Sequence, residues 1–181
     1  MKKAGIYKLA FGIESADSEV LRICRKKLDL KKLEEVVNIA NKMGFLVYGF
    51  FIIGLPGETE VSFRRTLEFA HRLKLDVANF CMAVPFPGTE LFNMVKKKGR
   101  FLIDTSHNID TGFYGGNVFY EYDNQKREDI LRRYQVAYRE FYSVGKKLQL
   151  LLSIRSFSEL IWLWNAANFV IKGLFIKSRN D

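Results

Sequence analysis

Phe45–Ile53 is the segment that most limits what this chain can fold into. It is nine residues, FLVYGFFII, without a charge, followed at once by the turn sequence Gly54-Leu55-Pro56-Gly57. So short an apolar run bounded by Gly and Pro predicts a β-strand covered on both faces. Two other segments read the same way, Tyr7–Ile13 (YKLAFGI) and Asp76–Val84 (DVANFCMAV).

Amphipathic stretches separate the three. Asp17 or Ser18 caps a short helix to about Arg25. Asp29 starts a second helix through Met43, with Leu33, Val36, Val37 and Ala40 on one face and Gly44 as its stop. Thr59 caps a helix over 60–73 with Phe63, Leu67 and Ala70 inward, and Thr89 caps one ending near Gly99. The order β-α-α-β-α-β-α predicts an α/β fold with a parallel sheet.

Beyond residue 99 the pattern changes. Residues 100–125 hold Phe113, Tyr114, Phe119, Tyr120 and Tyr122 with three glycines, and read as a long loop with one short strand. Residues 126–152 read as a helix with Ile130, Tyr134, Ala137, Phe141, Val144 and Leu148 inward. Ser156 and Glu159 form a capping-box pattern before a last helix to about Lys172. The expected units are therefore residues 1–99, an aromatic loop region 100–125 and a helical C-terminal extension 126–181.

Charge and cysteine usage remove several function classes. Two cysteines, Cys24 and Cys81, lie far apart, which excludes a disulfide scaffold and suits a reducing, cytoplasmic setting. With only His71 and His107 beside them, no Cys/His metal set of usual spacing can form. Net charge is +9, and residues 1–32 carry nine Lys/Arg against four Asp/Glu. Those charges sit mostly at helix ends such as Lys96-Lys97-Lys98, where cations favour the helix dipole, so they weigh against nucleic acid as a partner. The longest uncharged run of the tail, Leu160–Ile171, has twelve residues, short of the ~20 that span a bilayer. The apolar tail Leu148–Ile176, with Trp162 and Trp164, suits the flank of the fold, a partner or a membrane surface.

Three places carry candidate chemistry, each just after a predicted parallel strand, where open α/β sheets and barrels bind ligands. Glu14 and Ser15 place a carboxylate and a hydroxyl that suit a diol or an amine; equally, they begin a turn and cap the next helix. Gly54, Pro56, Gly57 and Glu58 form a turn that lets a ligand approach the backbone, or a plain strand–helix turn. Val84, Pro85, Phe86 and Pro87 form a rigid loop that presents an aromatic face, or a packing corner.

Taken in order, GIES, FFIIGLPGETE and VPFPGTELF over residues 4–92 resemble the second half of a radical S-adenosylmethionine (SAM) enzyme core, in the branch with cobalamin-dependent members and methylthiotransferases. Tyr138-Arg139-Glu140-Phe141-Tyr142 resembles a YREFY helix that follows the core in the cobalamin-dependent proteins.

The resemblance implies a partial TIM-like (β/α) barrel in which the three strands are the fourth, fifth and sixth. It implies SAM contacts from Glu14 and Ser15 to the ribose or methionyl part, from Gly54 to Glu58 near adenine, and from Val84 to Pro87 in support of adenine. It implies a [4Fe-4S] cluster, 5′-deoxyadenosyl radical chemistry on a small-molecule substrate, and cobalamin in one branch. The family's CxxxCxxC is absent, and Ala16 stands where Gly often follows GIES. The cluster, and cobalamin where used, would therefore come from a preceding barrel half, in the same gene or a separate chain. Methylation and cyclisation are the expected reactions. Two alternatives stand beside this: a non-catalytic remnant or interaction subunit pairing through an exposed barrel edge, and an RNA-modifying methylthiotransferase-like protein. The sequence names no catalytic base and no metal ligand.

Overall fold

The computed structural model describes residues 1–103, 117–143 and 145–146. A single 3-10 turn, Lys2–Ala4, leads into strand β1, Lys8–Glu14. Helices α1, Ser18–Ile23, and α2, Leu30–Lys42, follow, then strand β2, Leu46–Ile53. Helix α3 is Glu60–Arg72, strand β3 is Val77–Met82, and helix α4 is Glu90–Lys98. Two short strands, β4, Gly99–Phe101, and β5, Tyr120–Tyr122, precede helix α5, Arg127–Phe141.

The caps explain the boundaries. Asp17 accepts from the Glu19 and Val20 amides, Asp29 from Lys32, and Thr89 from Phe92. Thr59 and Ser62 cap each other's amides at the start of α3. Each side chain satisfies amide donors that the first turn of its helix leaves over.

The three long strands form one parallel sheet in the order β1-β2-β3. Register places Tyr48 opposite Ala10 and Val77, and Phe50 opposite Gly12 and Asn79, so these residues share one face. The other face carries Leu9, Phe11, Val47, Phe51, Ala78 and Phe80, and it packs into the main core with Leu33, Val37, Phe63, Leu67, Tyr134 and Ala137. Gly49 is required there: a Cβ would lie 2.6 Å from Leu75 Cδ1, so the absence of a side chain lets Leu75 reach the sheet.

The expectation that β2 is covered on both faces needs correcting. Burial alternates along it, and Phe50 is 36% exposed while Phe51 is fully buried. The run is apolar on both faces because one packs under helices and the other leaves Leu46, Tyr48 and Ile52 half-buried. Among the described residues nothing covers that second side as a layer. Val36 is also exposed, not part of the inward face of α2.

The region after residue 99 holds two short antiparallel strands, β4 and β5, where one was expected. They pair across a chain separation that local periodicity does not report. Phe119, Tyr120 and Tyr122 join Val20, Leu55, Ala83 and Val95 in a second buried cluster. Helix α5 ends at Phe141, where Tyr142 leaves helical geometry; residues 145–146 are helical again, and the rest of the helix expected to 152 lies outside the described residues. His107, Phe113, Tyr114, the 156/159 capping pattern and the tail from Leu148 lie outside the described residues.

Candidate active site

The C-terminal ends of the three parallel strands converge on one rim, and the three candidate segments lie there. At the end of β1 the register with β2 slips between Gly12 and Glu14. Glu14 takes a left-handed backbone, φ 66°. That conformation costs a non-glycine residue about 1–3 kcal/mol and persists only where the surroundings impose it. It folds the carboxylate back over Gly12, where a Cβ would sit 2.8 Å from Glu14 Oε1. The carboxylate thus lies over the uncovered face of the sheet, with Lys26 Nζ 3.3 Å away.

Ser15 behaves differently. It is buried, bonds the Thr66 hydroxyl at 3.1 Å and accepts from the Asp17 amide at 3.1 Å. Its hydroxyl ties the turn to α3. Asp17, the cap of α1, is held by Arg65 at 2.8 Å, and the guanidinium together with two amides outweighs burial and lowers its carboxyl.

The turn after β2 is held from a distant part of the chain. Gly54 and Gly57 both have positive φ, and a Cβ at Gly57 would meet Ile23 Cδ1 at 2.4 Å. The Gly54 amide donates to Glu58 Oε1 at 3.2 Å, and the Glu58 amide donates to the Leu55 carbonyl at 3.0 Å. From β5 and the following turn, Tyr120 donates to the Gly54 carbonyl at 2.6 Å and Gln125 to the Leu55 carbonyl at 2.8 Å. From α5, Arg133 Nη1 donates to Glu58 Oε1 at 3.1 Å and Gln125 Oε1 at 3.2 Å, and Nε to Glu60 Oε2 at 3.3 Å.

Glu58 and Arg133 are both buried. Burial dominates at Glu58 and pushes its carboxyl up to about 7, against the lowering pull of the Gly54 amide and Arg133. Glu60 runs the other way: hydrogen bonds from Arg132 and Arg133 hold it down at about 2. Pro56 is buried against this turn.

After β3, Ala83 continues the ladder to the Ile53 carbonyl at 3.0 Å. The Phe86 amide donates to the Val84 carbonyl at 3.1 Å, and the Phe86 carbonyl accepts from the Thr89 hydroxyl at 2.6 Å. Val84 and Phe86 are half-buried, Pro85 is buried and Pro87 exposed. A cleft of about 160 Å³ opens between these loops, lined by Ile23, Cys24, Leu55, Pro56, Leu91 and Met94, with Glu90 at its side. Arg25 pairs with that Glu90 at 2.9 Å.

Both thiols are pushed above their ordinary range. Burial, aided by the carboxylates of Glu14 and Glu58, pushes Cys24 up to about 11; burial and Glu14 raise Cys81. His71 is exposed on α3 and stacks on Phe141 at 5.7 Å.

Tyr120, Gln125 and Arg133 escaped the sequence reading. One signal was present for the last: Arg133 shares the face of α5 that carries Ile130, Tyr134 and Ala137, and a cation on an apolar face implies a buried partner. Nothing in the sequence identified Glu58 as that partner.

A parallel sheet with helices on one face and candidate ligand segments gathered at the strand C-termini is the architecture of (β/α)-barrel enzymes. The Radical SAM superfamily matches residues 1–70. An uncharacterized methyltransferase of Pyrococcus horikoshii is 39% identical over 92 residues, covering 51% of this chain and 20% of that protein. The anaerobic magnesium-protoporphyrin IX monomethyl ester cyclase of Rubrivivax gelatinosus is 25% identical over 141 residues, covering 78% of this chain and 24% of the relative. Coproporphyrinogen III oxidase from Escherichia coli, a Radical SAM enzyme, superimposes with a TM-score of 0.50 at 24% identity, over 72% of this chain and 26% of that one, and so shares the fold. Over residues 1–70 the chain is similar to the Radical SAM superfamily, and it shares the fold of a solved Radical SAM enzyme. It spans about a fifth to a quarter of the length of these proteins.

The superfamily implies SAM and an iron–sulfur cluster, and the residues in hand fit the two unequally. The sequence holds two cysteines, and no group of three metal-type side chains forms among the described residues, so they do not fit a cluster. SAM fits better: Glu14 offers a carboxylate above an open sheet face, where a diol or ammonium can be bound.

Proposed function

We propose that this chain forms the SAM-binding rim of a radical SAM active site, and that further parallel strands carrying the cluster cysteines join it at β1. When bound at a cluster, SAM supplies the radical-generating chemistry; this chain's residues orient it. The observation that carries the reading is Glu14, strained at the end of β1 and aimed over the uncovered face. Glu14 would hold the ribose or methionyl ammonium. The Gly54–Glu58 turn and the Val84–Pro87 loop would form the apolar wall beside adenine, since their own polar backbone atoms are largely committed within the fold. Methylation or cyclisation of a small molecule is the reaction class, supported by the relatives' names.

The β1 edge, which no other strand among the described residues pairs, supports the second half of the reading. The Leu46 amide bonds the Tyr7 carbonyl, so alternate residues of β1 turn toward β2 and the backbones of Ala10 and Gly12 turn outward. Both residues are exposed. An open parallel edge of this kind is a template for another strand.

The test is SAM binding by calorimetry, in the presence of a reconstituted polypeptide that carries a CxxxCxxC barrel half. Saturable binding is expected, weakened roughly 10- to 100-fold by Glu14→Gln, as for loss of a charge-assisted hydrogen bond. Association of the two polypeptides without SAM binding would overturn the ligand reading and leave an interaction subunit. No association and no binding would overturn both.

A further inference from the structure

The two edges of the parallel sheet are treated in opposite ways, and the difference lies in α5. Just past β3 the Ala83 amide bonds the Ile53 carbonyl of β2, so Cys81, Asn79 and Val77 face β2 and Ala78 and Phe80 turn their backbones outward. Those outward groups are fully engaged by two phenols. Tyr138 Oη accepts from the Phe80 amide at 3.3 Å and donates to the Phe80 carbonyl at 3.1 Å. Tyr142 Oη accepts from the Ala78 amide at 3.2 Å and donates to the Ala78 carbonyl at 2.8 Å. Lys146 then donates to the Leu75 carbonyl at 2.6 Å.

The spacing makes this repeat possible. Four residues of α-helix rise about 6 Å, and two residues of parallel strand span about 6.6 Å. Tyrosines at i and i+4 of α5 therefore meet residues at j and j−2 of β3, with helix and strand running in opposite directions. The two rings stack at 6.0 Å and 13°, which holds the hydroxyls in step. A phenol serves because it is donor and acceptor at once, matching an outward residue that offers one amide and one carbonyl. Burial raises both phenols far above neutrality, so neither loses its donor proton in the physiological range.

We propose that Tyr138 and Tyr142 act as surrogate ladder partners that close the β3 edge to strand addition, leaving β1 as the edge at which another chain segment can join the sheet. The closure at β3 stands on its own hydrogen bonds; only the role of β1 rests on the proposed function above. Phenylalanine at either position keeps the ring and removes the bond, so each amide is its own reporter.

Hydrogen exchange on the full chain, read residue by residue, is the first measurement. Tyr142→Phe is expected to speed exchange of the Ala78 amide roughly tenfold and to leave Phe80 unchanged; Tyr138→Phe is expected to do the reverse. The double variant is expected to self-associate in sedimentation velocity at concentrations where either single variant and the parent do not. Unchanged exchange at both amides would overturn the proposal. Faster exchange without association of the double variant would overturn the closing role. If the double variant does not fold, the crossed pattern of the single variants decides the hydrogen bonding, and the closure is decided at higher concentration: Tyr138→Phe is expected to associate there while the parent does not, and no difference between the two would overturn it. None of these readouts depends on SAM.

Discussion

Replacing Arg133 with methionine is expected to lower the stability of the fold by about 3–5 kcal/mol, the range for stripping one partner from a buried ion pair. Three acceptors lose their donor together: Glu58 at 3.1 Å, Gln125 at 3.2 Å and Glu60 at 3.3 Å. Glu60 is exposed enough for water and Arg132 to replace the loss. Glu58 is not, and an ionised carboxylate left alone in that position must protonate or leave. The turn from Gly54 to Glu58 goes with it, since Glu58 also anchors the Gly54 amide. Equilibrium urea unfolding at pH 5 and pH 8 measures the effect. The loss is expected to be larger at pH 8, where Glu58 is ionised, and a loss equal at both values would show that the Arg133 charge is not what matters.

Glu58 also sets a pH dependence of its own. Its carboxyl is raised from 4.5 to about 7 in the fold, so between those values the native state holds a proton that the unfolded chain has released. Stability from this group is therefore full below about 4.5 and is lost as pH rises through about 7. Glu60, lowered to about 2, contributes oppositely: its stabilisation is present above 4.5 and is lost as pH falls toward 2. Glu58→Gln is expected to flatten the fall in unfolding midpoint between pH 5 and pH 7.5 while leaving the acid limb in place. A fall of the same size in Glu58→Gln would assign it to other groups.

Much of this was written locally in the chain. The strands announced themselves as short apolar runs ended by Gly and Pro, and Asp17, Asp29, Thr59 and Thr89 marked four helix starts because capping is a contact within three residues. What escaped depends on residues brought together from afar. The β4–β5 pair joins residues about twenty apart, with no alternation long enough to show it. The clamp on the Gly54–Glu58 turn draws on residues more than sixty positions away. The hydroxyls of Tyr138 and Tyr142 look, in sequence, like ordinary members of an apolar helix face. The exposure of Phe50 escaped for a different reason: an apolar residue reads the same whether it faces a packed core or a face that the described residues leave partly open.

The second large effect is expected at Phe80, where the sheet, α5 and the edge closure meet. Its ring is 2% exposed and lies 5.2 Å from Phe51, 5.4 Å from Tyr138 and 6.0 Å from Phe141. Its amide donates to the Tyr138 hydroxyl and its carbonyl accepts from it. Phe80→Ala is expected to cost about 3–5 kcal/mol, from lost transfer energy and the cavity left behind. Against a typical total of about 5–15 kcal/mol, that brings the chain near unfolding at 37 °C. The backbone bonds to Tyr138 are not removed by this change, so it separates packing from edge closure. Phe80→Leu, which refills most of the cavity, should recover most of the loss. Calorimetric melting of both variants tests this. Losses of similar size in Ala and Leu would mean that the aromatic contacts, not the filled volume, hold α5 to the sheet.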